Sequence, residues 1–274
     1  MVIVESAGIT DVGRKRKGNE DSLFMDDELA LYVVADGMGG HQAGEVASSL
    51  VVETMGDYMR QFRENPDTEE PASGDNTFSK EANRLISGIC LSNEVVHDLS
   101  NSKSSYRGMG STVSAVCFTV DDTFIASNVG DSPIYLIRNG AIKTLSVPHT
   151  VIAEHMALHP NGPRRFGKAF SHMLTRAMGI EKIVRPDTCE DQCFKNDMLV
   201  IASDGLSDKV KPKEVLYVVK DRSPDKCCQM LVDMANERGG EDNITVIVLK
   251  VKAIKHEKTG IAGFFSRFVD GMKD

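Results

Sequence analysis

The 274-residue chain carries 32 Lys and Arg against 40 Asp and Glu, a formal net charge of −8, with 41% hydrophobic and 26% charged residues. That length fits one domain or two small ones around a substantial core, and the acid excess argues against nucleic-acid binding, which favours basic surfaces. No apolar run approaches the ~20 residues of a membrane-spanning helix, the opening Met1-Val-Ile-Val-Glu5 lacks the basic flank of a secretory signal, and the cysteines at 90, 117, 189, 193, 227 and 228 lack the paired spacing of a zinc site; a cytoplasmic protein with reduced thiols and no stable membrane insertion is expected.

Val2 to Val4 and then Ile9 to Val12 read as an opening strand and its continuation. The basic turn Gly13-Arg-Lys-Arg-Lys-Gly18 follows and, taken alone, reads as a solvated loop. It leads straight into Asn19-Glu20-Asp21, so one guanidinium can reach the same cleft, and Arg suits a phosphate ester better than Lys because its donors form a planar fork. Leu31 to Ala35 is a buried strand that closes on Asp36, with Gly37, Gly39 and Gly40 letting the chain turn sharply. A carboxylate at such a strand end must be paired, hydrogen-bonded or bound to a cation.

From Ala43 to Phe62 the period becomes helical, with Val46, Leu50, Tyr58 and Phe62 on one stripe. Residues 63–76, with Pro66, Pro71 and Gly74, read as an exposed loop, and Ala82, Leu85, Ile89, Val96 and Leu99 mark a second long helix. Strand-like runs follow at Ser111–Val120, Thr123–Val129, Ile134–Ile137 and Ala141–Leu145. Turn signals at Asp121-Asp122, Gly130-Asp131 and Asn139-Gly140 separate them and read as closely spaced hairpins. Such hairpins between helical pairs predict antiparallel strands stacked as two sheets with helices outside.

Residues 148–176 are less regular. His155 and His159 follow Glu154 without the His-Glu-x-x-His order of a helical metal pair, and Arg164, Arg165 and Lys168 face either solvent or an acidic phosphopeptide. Met198 to Ala202 is a second apolar run that closes on Asp204-Gly205. Ser223-Pro224 predicts a helix start with a capping hydroxyl, Cys227, Met230, Leu231 and Met234 its buried stripe, and Gly239-Gly240 its end. Glu241-Asp242-Asn243 then precedes a last strand, Ile244 to Val251, and Ile261, Phe264, Phe265, Phe268 and Met272 line one face of a possible tail helix. Several Asp and Glu residues at strand ends beside Gly or Asn suggest a hard-cation site of oxygen ligands. With no His or Cys among them, magnesium or manganese is favoured over zinc.

Seven blocks, in order, carry a resemblance: Asp11 to Asp21, Val34 to His41, Gly108 to Thr112, Asn128 to Ser132, Leu174 to Gly179, Ala202 to Asp208, and Gly240 to Thr245. The chain resembles the metal-dependent protein serine/threonine phosphatases of the protein phosphatase 2C-like (PPM) family, in their compact bacterial form. The resemblance implies an α/β fold of the α+β type, a four-layer α-β-β-α sandwich with two central antiparallel sheets. It implies a catalytic domain over residues 1–252 and a tail over 253–274.

It further implies two Mn2+ or Mg2+ ions, with Asp36, Asp204 and Asp242 holding one, and Asp36, Glu20 and the Gly37 carbonyl the other. Asp21 would act through bound water, Asp131 with Asp204 would serve a third, weaker ion, and Asn243 would support the site from behind. Arg16 would take the substrate phosphate, with Arg14 the competitor in a shifted register. The implied reaction is direct attack of a water bridging the two ions on phosphoserine or phosphothreonine, with no phosphoenzyme. Phosphorylated proteins and a cognate Ser/Thr kinase are the implied partners of a monomer. The alternative is a catalytically weak module of the same fold that binds or regulates a partner. The chain departs from many eukaryotic relatives in carrying Met38 where they have a His proposed as general acid, and Pro133 and Pro148 where Arg and Asp are common.

Overall fold

The computed structural model describes residues 1–39, 42–65, 68–69, 77–159, 170 and 173–255. In chain order the strands and helices are β1 (Val2–Asp11), β2 (Asp21–Asp26), β3 (Leu31–Met38), α1 (Gln42–Glu64), α2 (Lys80–Ser102), β4 (Gly110–Ser111), β5 (Val113–Phe118) and β6 (Thr123–Val129). There follow β7 (Ile134–Arg138), β8 (Ala141–Thr144), α3 (Val151–Leu158), β9 (Asp187–Gln192), β10 (Met198–Ala202), α4 (Asp204–Ser207), α5 (Pro212–Val219), α6 (Pro224–Glu237) and β11 (Ile244–Ile254). One sheet runs β1-β11-β10-β7-β8 and the other β2-β3-β5-β6-β9, with β4 added beside β3, and every pairing is antiparallel.

The period of two along each strand divides its side chains between two apolar layers. On β3, Leu31, Val33 and Ala35 pack under α1 and α2, while Tyr32 and Val34 face the other sheet. On β10, Met198, Val200 and Ala202 meet α5 and α6, while Leu199 and Ile201 enter the inter-sheet layer. Three apolar layers thus hold four structural layers together, the α-β-β-α sandwich expected.

Local departures have local causes. The opening strand is continuous, Val2–Asp11, with a pairing shift between Ile3 and Val4 instead of a break. Asn139 and Gly140, both at positive φ (51° and 74°), close the β7–β8 hairpin as expected. Gly130-Asp131 closes no hairpin: β6 pairs β5 and β9 in one sheet, whereas β7 pairs β10 and β8 in the other. That connection carries the chain from one sheet to the other, which leaves Asp131 at the mouth of the gap between them. Ser223 precedes α6, but its hydroxyl makes no cap bond. The last strand continues to Ile254, past residue 252. His41, Pro66, Pro71, Gly74, Arg164, Arg165, Lys168 and the expected tail helix lie outside the described residues.

Candidate active site

Strand parity decides where the acids go. Asp36 follows Tyr32 and Val34 on the inter-sheet face of β3, and its partner in the β2 register is Asp21. Two carboxylates therefore stand side by side at one end of the gap between the sheets. Thr245 of β11 closes over them from the opposite sheet, its hydroxyl donating to Asp21 Oδ2 at 2.7 Å. Asp204 enters from the end of β10, and Asp242 from the turn before β11. Together with Arg16, Glu20, Gly37, Asp131 and Asp208 they line a cleft of about 450 Å³. Every acid expected as a metal ligand except Asp21 borders this cleft directly; Asp21 is buried beside Asp36.

The backbone around the acids is fastened from several sides. The Asp36 amide donates to Thr112 Oγ1 (3.1 Å), and its carbonyl accepts from the Thr112 amide (2.8 Å) and the Ser111 hydroxyl (3.0 Å). The Gly37 amide donates to the Glu20 carbonyl at 3.1 Å. Asn243 does not point into the cleft. Its Oδ1 accepts from the Glu20 amide (2.9 Å), and its Nδ2 donates to the Val12 and Gly18 carbonyls (both 3.0 Å), so one buried amide pins both ends of the basic turn that carries Arg16. Arg16 reaches across to Asp242 Oδ2 at 2.7 Å. Arg14 is held through its own backbone, its amide donating to Gly240 O at 2.7 Å.

Like charges crowd this end of the gap. Burial, and then the charges of Asp21, Asp204 and Asp242, hold the Asp36 carboxyl well above the usual carboxylate range. Burial, then Asp131, Asp242 and Asp208, push Asp204 up to about 7. Asp21 is pushed up to about 6 by burial, partly offset by the hydroxyls of Thr245 and Ser203. Asp36 and Asp204 oppose each other closely enough that both stay ionised only at a cost, which a proton between them relieves. A divalent cation would replace that proton, and an all-oxygen donor set suits a hard ion. The residues therefore fit Mg2+ or Mn2+. They ring the cleft without closing on one point, and among the described residues no three acids, His or Cys stand ready-made around one ion position.

Other supports were not singled out from the sequence. Thr112 also bonds Ser132 (2.9 Å), which ties the Asp36 strand to the crossover bearing Asp131. His149 is buried behind that crossover, its Nδ1 accepting from the Gly130 amide at 3.0 Å and its Nε2 bonding Asp187 at 2.6 Å. Burial lowers the His149 pKa, in keeping with a neutral ring that accepts at Nδ1. Lys209, at the cleft rim, is paired with Glu241. Thr112, Ser132, Ser203 and Thr245 all fall inside the sequence blocks that mark the site, but their roles depend on partners far along the chain. The rings of His155 on α3 and of His159 at its C-cap lie 4.8 Å apart, tilted by 50°.

Fold and site together describe an acidic-cleft α-β-β-α sandwich whose donors suit hard cations and an oxyanion. The sequence profile described as Protein phosphatase 2C matches residues 14–241. The serine/threonine phosphatase stp of Listeria welshimeri is 34% identical over 249 residues, covering 88% of this chain and 93% of that protein. The protein phosphatase PhpP of Streptococcus pneumoniae is 30% identical over 257 residues, covering 90% and 98%. The crystal structure of the PstP serine/threonine phosphatase catalytic domain with two manganese ions superposes with a TM-score of 0.75 at 28% identity, covering 92% of this chain and all of that one. The chain belongs to the protein phosphatase 2C family.

Proposed function

We propose that this chain is a metal-dependent serine/threonine phosphatase that removes phosphate from phosphoserine and phosphothreonine in proteins. The observation that carries the reading is the set of like-charged carboxylates gathered at one end of the inter-sheet gap, with a guanidinium at the rim. Asp36, Asp204 and Asp242 would hold one cation, Asp36, Glu20 and the Gly37 carbonyl a second, and Asp131 with Asp204 a third. Asp21 would orient ligands through water, and Asn243 would hold the loop. Bound there, divalent cations neutralise the charge of a phosphate ester and acidify water near neutral pH.

The chain's own residues supply the rest. Arg16 exchanges Asp242 for the phosphate oxygens as a planar donor, and the carboxylates fix where the ester lies. Met38 cannot donate a proton, so the leaving alkoxide must take its proton from another donor, from water in the cleft or from elsewhere. Phosphorylated serine and threonine are made by kinases, so the enzyme opposes a Ser/Thr kinase. The whole proposed ligand set comes from one chain, which suits a monomer. All six cysteines are free thiols, in keeping with a reducing, cytoplasmic setting, and no helix among the described residues is long and apolar enough to cross a membrane.

The test is hydrolysis of p-nitrophenyl phosphate and a phosphothreonine peptide with Mn2+, Mg2+ or EDTA, for wild type and Asp204→Asn. Turnover that needs metal and is lost in the variant supports the reading. A folded wild type that turns over neither substrate with any cation would transfer it to the partner-binding alternative. Arg16→Ala is expected to lower kcat/KM by about 10²-fold, chiefly through KM, with Arg16→Lys recovering part of it. Steady-state kinetics on both substrates checks this; a kcat loss at unchanged KM would remove Arg16 from phosphate binding. Adding Mn2+ to EDTA-stripped protein is expected to raise Tm in a concentration-dependent way, because only the folded chain gathers the acids; a Tm indifferent to Mn2+ would count against the proposed ligand set.

A further inference from the structure

Beside the carboxylate cleft lies a second hollow of about 650 Å³, lined mainly by Met38, Leu174, Ala177, Ile180, Ile183 and Val184. Met38 and Leu174 border both spaces, so the two adjoin. Ile180 and Ile183 are 47% and 78% exposed, unusual for large aliphatic side chains standing together beside a cleft.

These side chains sit on a fastened loop. The buried Asn93 of α2 spends its whole amide on it: Oδ1 accepts from the Gly179 amide (2.8 Å), and Nδ2 donates to the carbonyls of Glu181 (3.0 Å) and Lys182 (3.1 Å). Gly179 has φ +81°, and a Cβ there would stand 2.3 Å from Val96 Cγ1, so the loop lies flat on α2. Arg176 closes its base, donating to the Arg185 carbonyl (3.0 Å) and to Asp187 (2.8 Å). The Met178–Ser111 bridge joins it to β4, where Met38 pairs Gly110. A stiff loop presents its apolar surface with little ordering left to do on binding.

We infer that this hollow is a specificity pocket for the phosphoprotein substrate, taking one large apolar side chain (Leu, Ile, Met or Phe) near the phosphorylated residue. The inference rests on the phosphatase reading and adds the substrate class. Adjacency to the cleft across Met38 and Leu174 selects a substrate segment as occupant. Met38 lies two residues beyond Asp36 on the same face of β3, about 7 Å along the strand. An extended peptide with its phosphate in the cleft therefore places a side chain two or three residues away in the hollow. Arg176, Glu181 and Arg185 give the rim both signs of charge, so selection is by apolar bulk.

The test compares Mn2+-loaded wild type, Ile183→Ser and Ile183→Leu on phosphothreonine peptides in an alanine background. The peptides carry Leu or Ser singly at two or three residues on either side of the phosphothreonine, and p-nitrophenyl phosphate serves as the small substrate. Wild type is expected to favour Leu over Ser at one of these positions by about tenfold in kcat/KM, the effect of burying much of one aliphatic side chain. Ile183→Ser should bring the ratio to within about twofold, Ile183→Leu should keep it, and p-nitrophenyl phosphate turnover should stay within about twofold throughout. Equal use of Leu and Ser peptides by wild type at every position, or a preference that survives Ile183→Ser, overturns the inference. So does a wild-type dimer that Ile183→Ser dissociates in sedimentation, since a second copy would then fill the hollow. Loss of p-nitrophenyl phosphate turnover already in wild type would strike the phosphatase reading itself.

Discussion

Asp36→Asn is expected to lower kcat on p-nitrophenyl phosphate by about 10³-fold or more while leaving a folded protein that, without metal, melts above the wild type. The substitution keeps the shape of the side chain and every backbone bond that holds residue 36, to Thr112 and Ser111. It removes the carboxylate that the first two proposed ions share. It also removes a charge that Asp21, Asp204 and Asp242 all oppose. Function and metal-free stability should therefore move in opposite directions, which a misfolded variant cannot imitate.

The same crowding sets a pH dependence. The folded-state pKa values of Asp36, Asp204 and Asp21 are raised, so between about pH 4 and 7 the folded, metal-free protein binds more protons than the unfolded chain. Its stability therefore falls as pH rises through that window. Thermal melts in EDTA at pH 5, 6, 7 and 8 should show Tm declining for wild type and declining less for Asp36→Asn. A variant that melts lower than wild type at pH 8 in EDTA would refute the account of like-charge crowding.

The second large effect is expected from a methyl group. Gly37→Ala should destabilise the fold by about 3 kcal/mol and cut turnover by at least about 10²-fold. A Cβ at residue 37 would stand 2.1 Å from the Gly44 carbonyl oxygen and 2.5 Å from that of Glu20. Both obstacles are backbone, so no side chain can swing away. Relief requires α1 to lift from β3 or the Glu20 segment to retreat from it, and either movement displaces a proposed ligand. Gly18→Ala is the matched control: nothing lies within 4 Å of its Cβ position, and stability and kinetics should be nearly unchanged. Urea unfolding beside kinetics on all three proteins would decide it. A Gly37→Ala enzyme with wild-type midpoint and turnover would show that the close packing at this turn has no role in placing the acids.

Much of this molecule is legible in its sequence, because some physics is local. The i, i+4 stripe through Val46 and Leu50 foretells α1, and the continuous apolar run of β3 foretells a strand buried on both faces. Asp-Gly pairs closing apolar runs reveal the carboxylates of the cleft, since few folds tolerate a charge there without a partner. Short polar elements are hidden for the same reason. β9 reads Asp-Thr-Cys-Glu-Asp-Gln and forms a strand only because it pairs along the edge of β6. Gly130-Asp131 resembles the neighbouring hairpin turns, yet passes between sheets, because local periodicity encodes the face a residue takes and not the strand it meets.

What the sequence by itself determined, then, is the inventory of acids, their strand ends, the helical faces and the family resemblance they carry. The tertiary structure alone decided their convergence: Asp21 on Thr245, Arg16 on Asp242, and Glu20 on Asn243 join residues more than 220 positions apart. It also decided that Asn93 spends its amide on the loop of Ile180 and Ile183. Such long-range bonds depend on chain closure and sheet order, quantities that no stretch of neighbouring residues contains.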